Sequence, residues 1–379
     1  METNLDASRK DARALFAAAA APPKSSETWR RTDYALWTLD AAKPAAPFSP
    51  FSAEAAARAA KAGAELLSLE EAAARHPDLV LPLLAPCADA DYRRLELANL
   101  AAWRGGAFLR VPKGVRLSEP VLLGFRHEGE GPHYPRVLVV LEDGASADVV
   151  EEHTGDARVC AAFSRAVVGS GARLRCFYTQ DLGRAAVHFW HGRVELAADA
   201  RLEHYDLLLG GLQHKSALDV ELLGRGAHSD IRAVMLGRGT QRFDAETRQL
   251  HRASRTTSDL LYRTALRERA RSNYVGLIRI EREALGCEAY QSNRNLMLSE
   301  AARADTTPIL EILTDDVRCK HGATAGPLDA DQLYYLQTRG LSAEEAARTL
   351  VLGFFEPILG SLPDAALAER LRARVEEGL

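Results

Sequence analysis

The spacing of apolar and polar positions divides the chain into three zones. From residue 6 to about 102 it is rich in Ala, Leu, Glu and Arg, with helical spacing over 52–69 and 68–75. Ser52 ahead of Glu54, and Ser68 ahead of Glu70 and Glu71, read as helix starts. A hydroxyl caps free backbone amides, and acidic side chains suit the positive end of the helix dipole. Pro22-Pro23 and the 44–50 segment read as linkers. Beyond Trp103-Arg104-Gly105-Gly106 the pattern changes to short β-branched and aromatic runs, as at 136–141, 174–178, 188–196 and 229–236. Each is too short for a helix and ends on turn residues, so they predict strands. Helical signals return after Pro327. Ser342-Ala343-Glu344-Glu345 opens a helix with apolar positions at Leu350, Val351, Phe354, Phe355 and Ile358, which Pro357 and Gly360 are expected to end. A last charged helix is expected over about 364–377. The predicted organisation is an N-terminal helical domain (1–102), a β core (103–326) and a C-terminal helical domain (327–379).

A repeat runs through the β zone. Small-residue turns at Asp143-Gly144-Ala145, Ser170-Gly171-Ala172, Ala198-Asp199-Ala200, Arg225-Gly226-Ala227 and, more weakly, Arg252-Ala253 place their alanines 27, 28, 27 and 26 residues apart. Charged and apolar residues then alternate, as in Arg173-Leu174-Arg175-Cys176 and Arg201-Leu202-Glu203-His204. A constant step of this size is what a β-solenoid needs, because each coil returns the chain to the same place one layer up. The competing reading is a β-sandwich in which Gly-Ala turns recur by chance. The hexapeptide pattern of the left-handed β-helix acyltransferases is absent.

Composition narrows the function classes. A 379-residue chain with 47% hydrophobic and 26% charged residues can bury a sizeable core. A net charge of -4 gives no basic field for nucleic acid, and the arginines between Arg238 and Arg282 are interleaved with acids, as on a salt-bridged face. No apolar run reaches membrane-spanning length, and the first ten residues are polar, so the expectation is a cytoplasmic chain without a membrane partner. Cys87, Cys160, Cys176, Cys287 and Cys319 are scattered and form no C-x-x-C pair, which argues against a disulfide framework or a self-contained metal site.

The most informative stretch lies near the end of the β zone. Gln291-Ser292-Asn293-Arg294-Asn295-Leu296-Met297-Leu298-Ser299-Glu300 is followed by Asp305-Thr306-Thr307-Pro308-Ile309-Leu310-Glu311-Ile312 and by Asp315-Asp316-Val317-Arg318-Cys319-Lys320-His321-Gly322-Ala323-Thr324. Together with 331–342 these residues resemble the C-terminal signature of the SufB/SufD family. The segment from Glu27 to Thr32 is similar to a tryptophan-containing segment at the start of the family's SufD-type members. SufB-type members carry a cysteine soon after the Arg-Asn element, where this chain has Leu296, Met297, Leu298 and Ser299. A thioether and a hydroxyl cannot accept sulfur as a thiolate does. SufB-type members also read Glu-His-Glu-Ala-Thr where this chain has Lys320-His321-Gly322-Ala323-Thr324, so the resemblance is to the SufD type.

The resemblance implies a right-handed parallel β-helix flanked by α-helical N- and C-terminal domains. It also implies a non-catalytic scaffold for iron-sulfur cluster assembly that pairs with a SufB-like protein and docks the SufC ATPase. No G-x-x-x-x-G-K-[ST] stretch is present, so ATP hydrolysis is assigned to that partner. It further implies that His321 lies at the joint with the SufB-like chain as a metal ligand for a transient cluster, with none held tightly by the isolated chain. Imidazole binds iron and exchanges more readily than thiolate, which suits a cluster that must leave. Cys319, two residues away, shares a strand face with His321 and is a second ligand candidate.

Other readings compete. His188 and His191 are three residues apart, hence on opposite strand faces, and read as structural. Phe354, Phe355 and Ile358 are docking candidates for the ATPase, though such a stripe is more often core. Cys176 and Cys287 read as buried solenoid residues. An architectural homodimer and a polysaccharide-acting β-helix enzyme, using carboxylates such as Asp148, Glu151 and Glu152, are the rival functions.

Overall fold

The computed structural model describes residues 4–379 apart from 24, 27, 43–48, 87–90, 130 and 363–364. Glu27, Cys87, Asp364 and most of the 44–50 linker therefore lie outside the described residues. From Ala107–Val111 to Val317–Pro327 the chain winds as a parallel β-solenoid of about eight turns, successive strands entering alternately a nine-stranded and an eight-stranded sheet. The expected runs fall within the strands Arg136–Leu141, Arg173–Leu182, Val187–Leu196 and His228–Gly237.

The Gly-Ala repeat has a local cause. Gly144, Gly171, Asp199, Gly226, Arg255 and Gly286 occupy equivalent corners with φ between 56° and 74°. Glycine enters this left-handed region at no steric cost. Each corner N–H reaches the next coil: Gly144 donates to the Ser170 carbonyl at 2.9 Å and Gly171 to that of Ala198 at 2.8 Å. The following residue is buried in a tight corner, hence Ala145, Ala172, Ala200 and Ala227. The fifth corner is Arg255-Thr256 rather than Arg252-Ala253. His228 pairs with Thr257 and Thr257 with Glu288, so the step lengthens to 29 and then 31 residues. The extra residues sit in the connections at 238–241 and 281–286, where an insertion leaves the ladder intact.

Three apolar clusters organise the molecule. The lumen holds one, formed by inward residues such as Leu174, Leu202, Ile231 and Tyr262. On the outer face of the nine-stranded sheet, Phe108, Phe163 and Phe189 pack against Trp29, Trp37, Tyr92 and Leu95 of the N-terminal zone. The outer face of the eight-stranded sheet presents Val150, Phe177, Leu207 and Val234 to the C-terminal helices.

Caps fall where the hydroxyls predict. Ser52 accepts from the Ala55 amide, and Ser68 and Ser342 form capping boxes with Glu71 and Glu345. The 52–69 segment, expected as one helix, divides: Ala53–Lys61 is helical, Gly63 turns the chain at φ 86°, and Glu65–Ser68 pairs antiparallel with Ala107–Val111. Pro357 does not end its helix, which runs over Ala343–Leu359 to a cap at Gly360. A proline inside a helix costs about 3 kcal/mol, and burying Phe355 and Ile358 returns about 1.5–3 kcal/mol each. The last helix covers Ala365–Gly378.

The two ends of the solenoid differ. At the first coil the strand Glu65–Ser68 blocks the edge of the nine-stranded sheet, and Ala55 and Ala59 of a helix join the lumenal cluster. At the last coil nothing among the described residues continues either sheet: Arg303–Ile312 and Val317–Pro327 are terminal strands.

Candidate functional site

The uncovered last coil gathers the residues singled out in the sequence. Along Val317–Pro327, Cys319 stands in register with Ala289 and His321 with Gln291, both buried inward positions of the coil beneath. Cys319 and His321 therefore share the inward face of the final layer, at its open mouth. Cys319 is half-buried against Ile278, Ile280 and Cys287, whereas His321 is exposed. No hydrogen bond or ion pair among the described residues holds the imidazole. Its exposure follows from position alone: in an inner coil the same register place would be covered by the next layer.

Burial, followed by the neighbouring Cys287, pushes the Cys319 thiol above its ordinary range, so it is protonated at neutral pH. A metal ion, or a base supplied from outside, would be needed to make it a thiolate ligand.

Beneath these residues lies a polar shell to which the sequence reading assigned no role. Gln291, Asn293 and Asn295 point inward at alternate positions of Cys287–Met297. Asn295 donates to Asn293 Oδ1 at 2.6 Å and to the Thr324 carbonyl at 3.1 Å. Gln291 Oε1, Asn293 Nδ2, Asn295 Oδ1 and Thr306 Oγ1 are buried without partners. Amides left this way cost about 1–3 kcal/mol each, so the open end has unmet hydrogen-bonding capacity close to His321. The signal was present as a Gln-x-Asn-x-Asn alternation of period two, which aims all three amides to one side of a strand.

The terminal strands also present unpaired backbone edges ten and eleven residues long. Ile309 and Leu313 are 38% and 46% exposed beside them. A long exposed edge is a template for adding another strand. Pro308 removes one donor from the Arg303–Ile312 strand, as suits a strand paired on one side only, with Arg271–Ile280.

The C-terminal helices place the apolar stripe differently from a docking surface. Phe355 and Ile358 are buried against the solenoid with Val351, where they anchor the helix. Phe354 is half-buried, with the Arg263 guanidinium 5.1 Å from its ring centroid. The exposed aromatics of this region are Tyr334 and Tyr335, at 70% and 57%, on the helix Ala330–Thr338.

His188 and His191 fall on opposite faces: His188 meets His214 inside the lumen at 3.0 Å, and His191 meets Asp219 at 3.0 Å beneath the N-terminal zone. Cys287 is fully buried and Cys176 half-buried. Asp148 is taken up by Arg175 at 2.9 Å and Glu152 by Arg370 at 2.7 Å, while Glu151 serves His153 inside the lumen. These three carboxylates thus have structural partners and do not converge on a groove. No helix of the described residues is long and apolar enough to cross a membrane.

The chain has relatives among known proteins. The family model for the SUF system FeS cluster assembly SufBD core domain matches residues 125–354. The chain is 31% identical over 312 residues to the iron-sulfur cluster assembly protein SufD of Bacillus subtilis (strain 168), covering 80% of this chain and 71% of that protein. It is 28% identical over 285 residues to an iron-sulfur cluster assembly SufBD family protein of Staphylococcus epidermidis. That match covers 74% of this chain and 61% of the relative, so the chain spans less than two thirds of the staphylococcal protein's length.

Proposed function

The chain belongs to the SufB/SufD family of iron-sulfur cluster assembly proteins and is of the SufD type, and from that premise we propose that it is a scaffold subunit whose open last coil receives a SufB-like sister chain. The observation that carries the proposal is the asymmetry of the solenoid: one end is capped by its own helix and strand, the other presents two free edges around His321 and Cys319.

In this reading a sister chain continues the sheets and closes the mouth. Iron and sulfide, the cargo, are held there between the His321 imidazole and a thiolate supplied by the sister, with Cys319 as a second donor on the same face. Neutral imidazole suits a site that must release what it holds. The buried amides of Gln291, Asn293 and Asn295 would orient the groups above them, as outer-shell hydrogen bonds do for metal ligands. The chain has no cysteine in the 296–299 stretch that directly follows Asn295 and no phosphate-cradling motif. Sulfur acceptance therefore falls to the sister and ATP hydrolysis to a SufC-class ATPase. That ATPase docks on the C-terminal helices through Tyr334, Tyr335 and the exposed part of Phe354, on a surface held in place from beneath by Phe355 and Ile358. A transmitted movement could then open and close the mouth.

A pair formed by two copies of this chain would use the same edges but place two imidazoles, and no sulfur acceptor, at the joint. Co-expression with a SufB-like protein and a SufC-class ATPase tests the assignment. His321→Ala should leave the size of the co-purified complex unchanged. Its iron and sulfide should fall by at least the roughly tenfold that even loss of an outer-shell partner costs a metal site. Unchanged iron and sulfide in an intact complex would remove His321 as a ligand.

A further inference from the structure

The first coils of the solenoid contain a second cluster of ligating side chains, far along the fold from His321. His127 ends the strand Val121–His127, His153 lies on Ser146–Gly155 of the same sheet, and Cys160 faces them from Val159–Val168 on the other sheet. All three are fully buried. His127 Nε2 stands 2.9 Å from His153 Nδ1 and 3.6 Å from Cys160 Sγ, and the three ligand atoms all lie within 4.8 Å of one another. We propose that His127, His153 and Cys160 form an internal binding site for one thiophilic d10 cation, and that zinc(II) is the ion whose charge the site balances.

The geometry is close to a coordination sphere. With Zn–N of about 2.0–2.1 Å and Zn–S of about 2.3 Å, tetrahedral angles put two ligand nitrogens about 3.3 Å apart and a nitrogen and a sulfur about 3.6 Å apart. The His127–Cys160 separation already has this value, and the others reach it by shifts of around an ångström. The outer shell is built as well. His153 Nε2 donates to Glu151 Oε1 at 2.8 Å, which leaves Nδ1 with its lone pair directed at the cluster. Glu151 is held by Ser164 Oγ at 2.9 Å, and Ser164 by Trp190 Nε1 at 3.1 Å. A carboxylate behind a histidine in this way fixes the tautomer and raises the basicity of the ligand.

Without an ion the same residues fit poorly. His127 Nε2 has one proton or one lone pair to offer, yet it faces both the His153 lone pair and the Cys160 thiol. A half-satisfied polar network in an apolar lumen is costly. A cation at the centre of the three atoms satisfies all of them at once.

On binding, Cys160 gives its proton to solvent as the S–Zn bond forms, and the His127 proton moves to Nδ1. One thiolate and the Glu151 carboxylate then balance the charge of a divalent ion at the site. Copper(I) shares the soft-ligand chemistry and accepts three ligands, but would leave the carboxylate unbalanced. Because the lumen closes around the site, the ion enters as the chain folds.

The test is metal retention after refolding. The whole chain is unfolded under reducing conditions, refolded with zinc(II) or copper(I), passed over chelator and analysed for metal. The proposal expects close to one equivalent of at least one of these ions to be retained by wild type and by His321→Ala and Cys319→Ser, and lost from Cys160→Ala and His153→Gln. Cobalt(II) refolded into wild type should show a thiolate-to-metal charge-transfer absorption that Cys319→Ser keeps and Cys160→Ser lacks, which reads the ligand directly in whatever fraction folds. Retention of less than about a tenth of an equivalent of both ions by folded wild type, or a charge-transfer band that survives Cys160→Ser, would overturn it.

Discussion

Acidification from pH 7 to pH 4.5 will remove about 5 kcal/mol of stability through two buried imidazoles alone. His214 and His251 are held at about 3 and about 4, below their ordinary value of 6.5, chiefly because burial disfavours the charged ring. Folding thus favours the neutral form. The contribution is complete above the unfolded value near 6.5 and is lost as the pH falls through it towards the folded values. Each pH unit costs about 1.4 kcal/mol per group, so the two together lose on the order of 5 kcal/mol by pH 4.5. His127 and His188, also lowered chiefly by burial, act in the same direction. Since a domain's whole stability is about 5–15 kcal/mol, the loss is large enough to unfold the chain. Urea titrations followed by circular dichroism between pH 7.5 and 4.5 measure it. A midpoint that stays level from pH 6.5 to 4.5 would show that these rings are not neutral in the fold.

Much of the architecture was legible because solenoid coils repeat their corner chemistry. The Gly-Ala corners at Ala145, Ala172, Ala200 and Ala227 are periodic because only small residues fit there, and the strands between them alternate because one face is lumen. The repeat was lost at Arg255-Thr256, where a non-glycine residue takes the left-handed position and the coil lengthens. The strand Glu65–Ser68 was hidden within a helical composition, because its pairing with Ala107–Val111 is a long-range contact that no local periodicity reports. His321 could be found from its motif and placed on a face with Cys319 by counting. Its exposure could not, since it depends on which coil is last. The His127–His153–Cys160 cluster was illegible for a similar reason: its members are spread over 33 residues and meet only because two sheets face each other.

Lys215→Ala will destabilise the chain by about 3–5 kcal/mol, the usual cost of leaving one member of a buried ion pair uncompensated. The Lys215 side chain is 1% exposed, lies 2.8 Å from Asp244 and donates to the Thr28 carbonyl at 2.9 Å. Asp244 also accepts from Asn273 at 2.8 Å and from Thr32. The ammonium sits 5.2 Å from the Trp29 ring and 5.7 Å from that of Tyr92. The tryptophan-containing segment is therefore held to the nine-stranded sheet by this buried pair, beside the bonds of Thr32 to Asp244 and of Asp33 to Gln213. Removing the lysine leaves the buried Asp244 carboxylate without its paired cation and releases the Thr28 carbonyl and the Trp29 ring. Replacing both partners, as Lys215→Met with Asp244→Leu, should cost clearly less than Lys215→Ala alone, since no lone charge stays behind. Thermal denaturation of the three proteins decides the point, and equal losses for the single and double variants would argue against it.

The uncovered last coil as the seat of a sister chain is most directly tested by amide hydrogen exchange over Arg303–Ile312 and Val317–Pro327. The chain is measured alone and within a complex co-purified with a SufB-like protein. Outward amides of both strands should exchange freely in the isolated chain and slow by about 100-fold or more in the complex, while the already paired strand Arg173–Leu182 stays unchanged. Equal exchange of both edges with and without the bound partner would contradict the account.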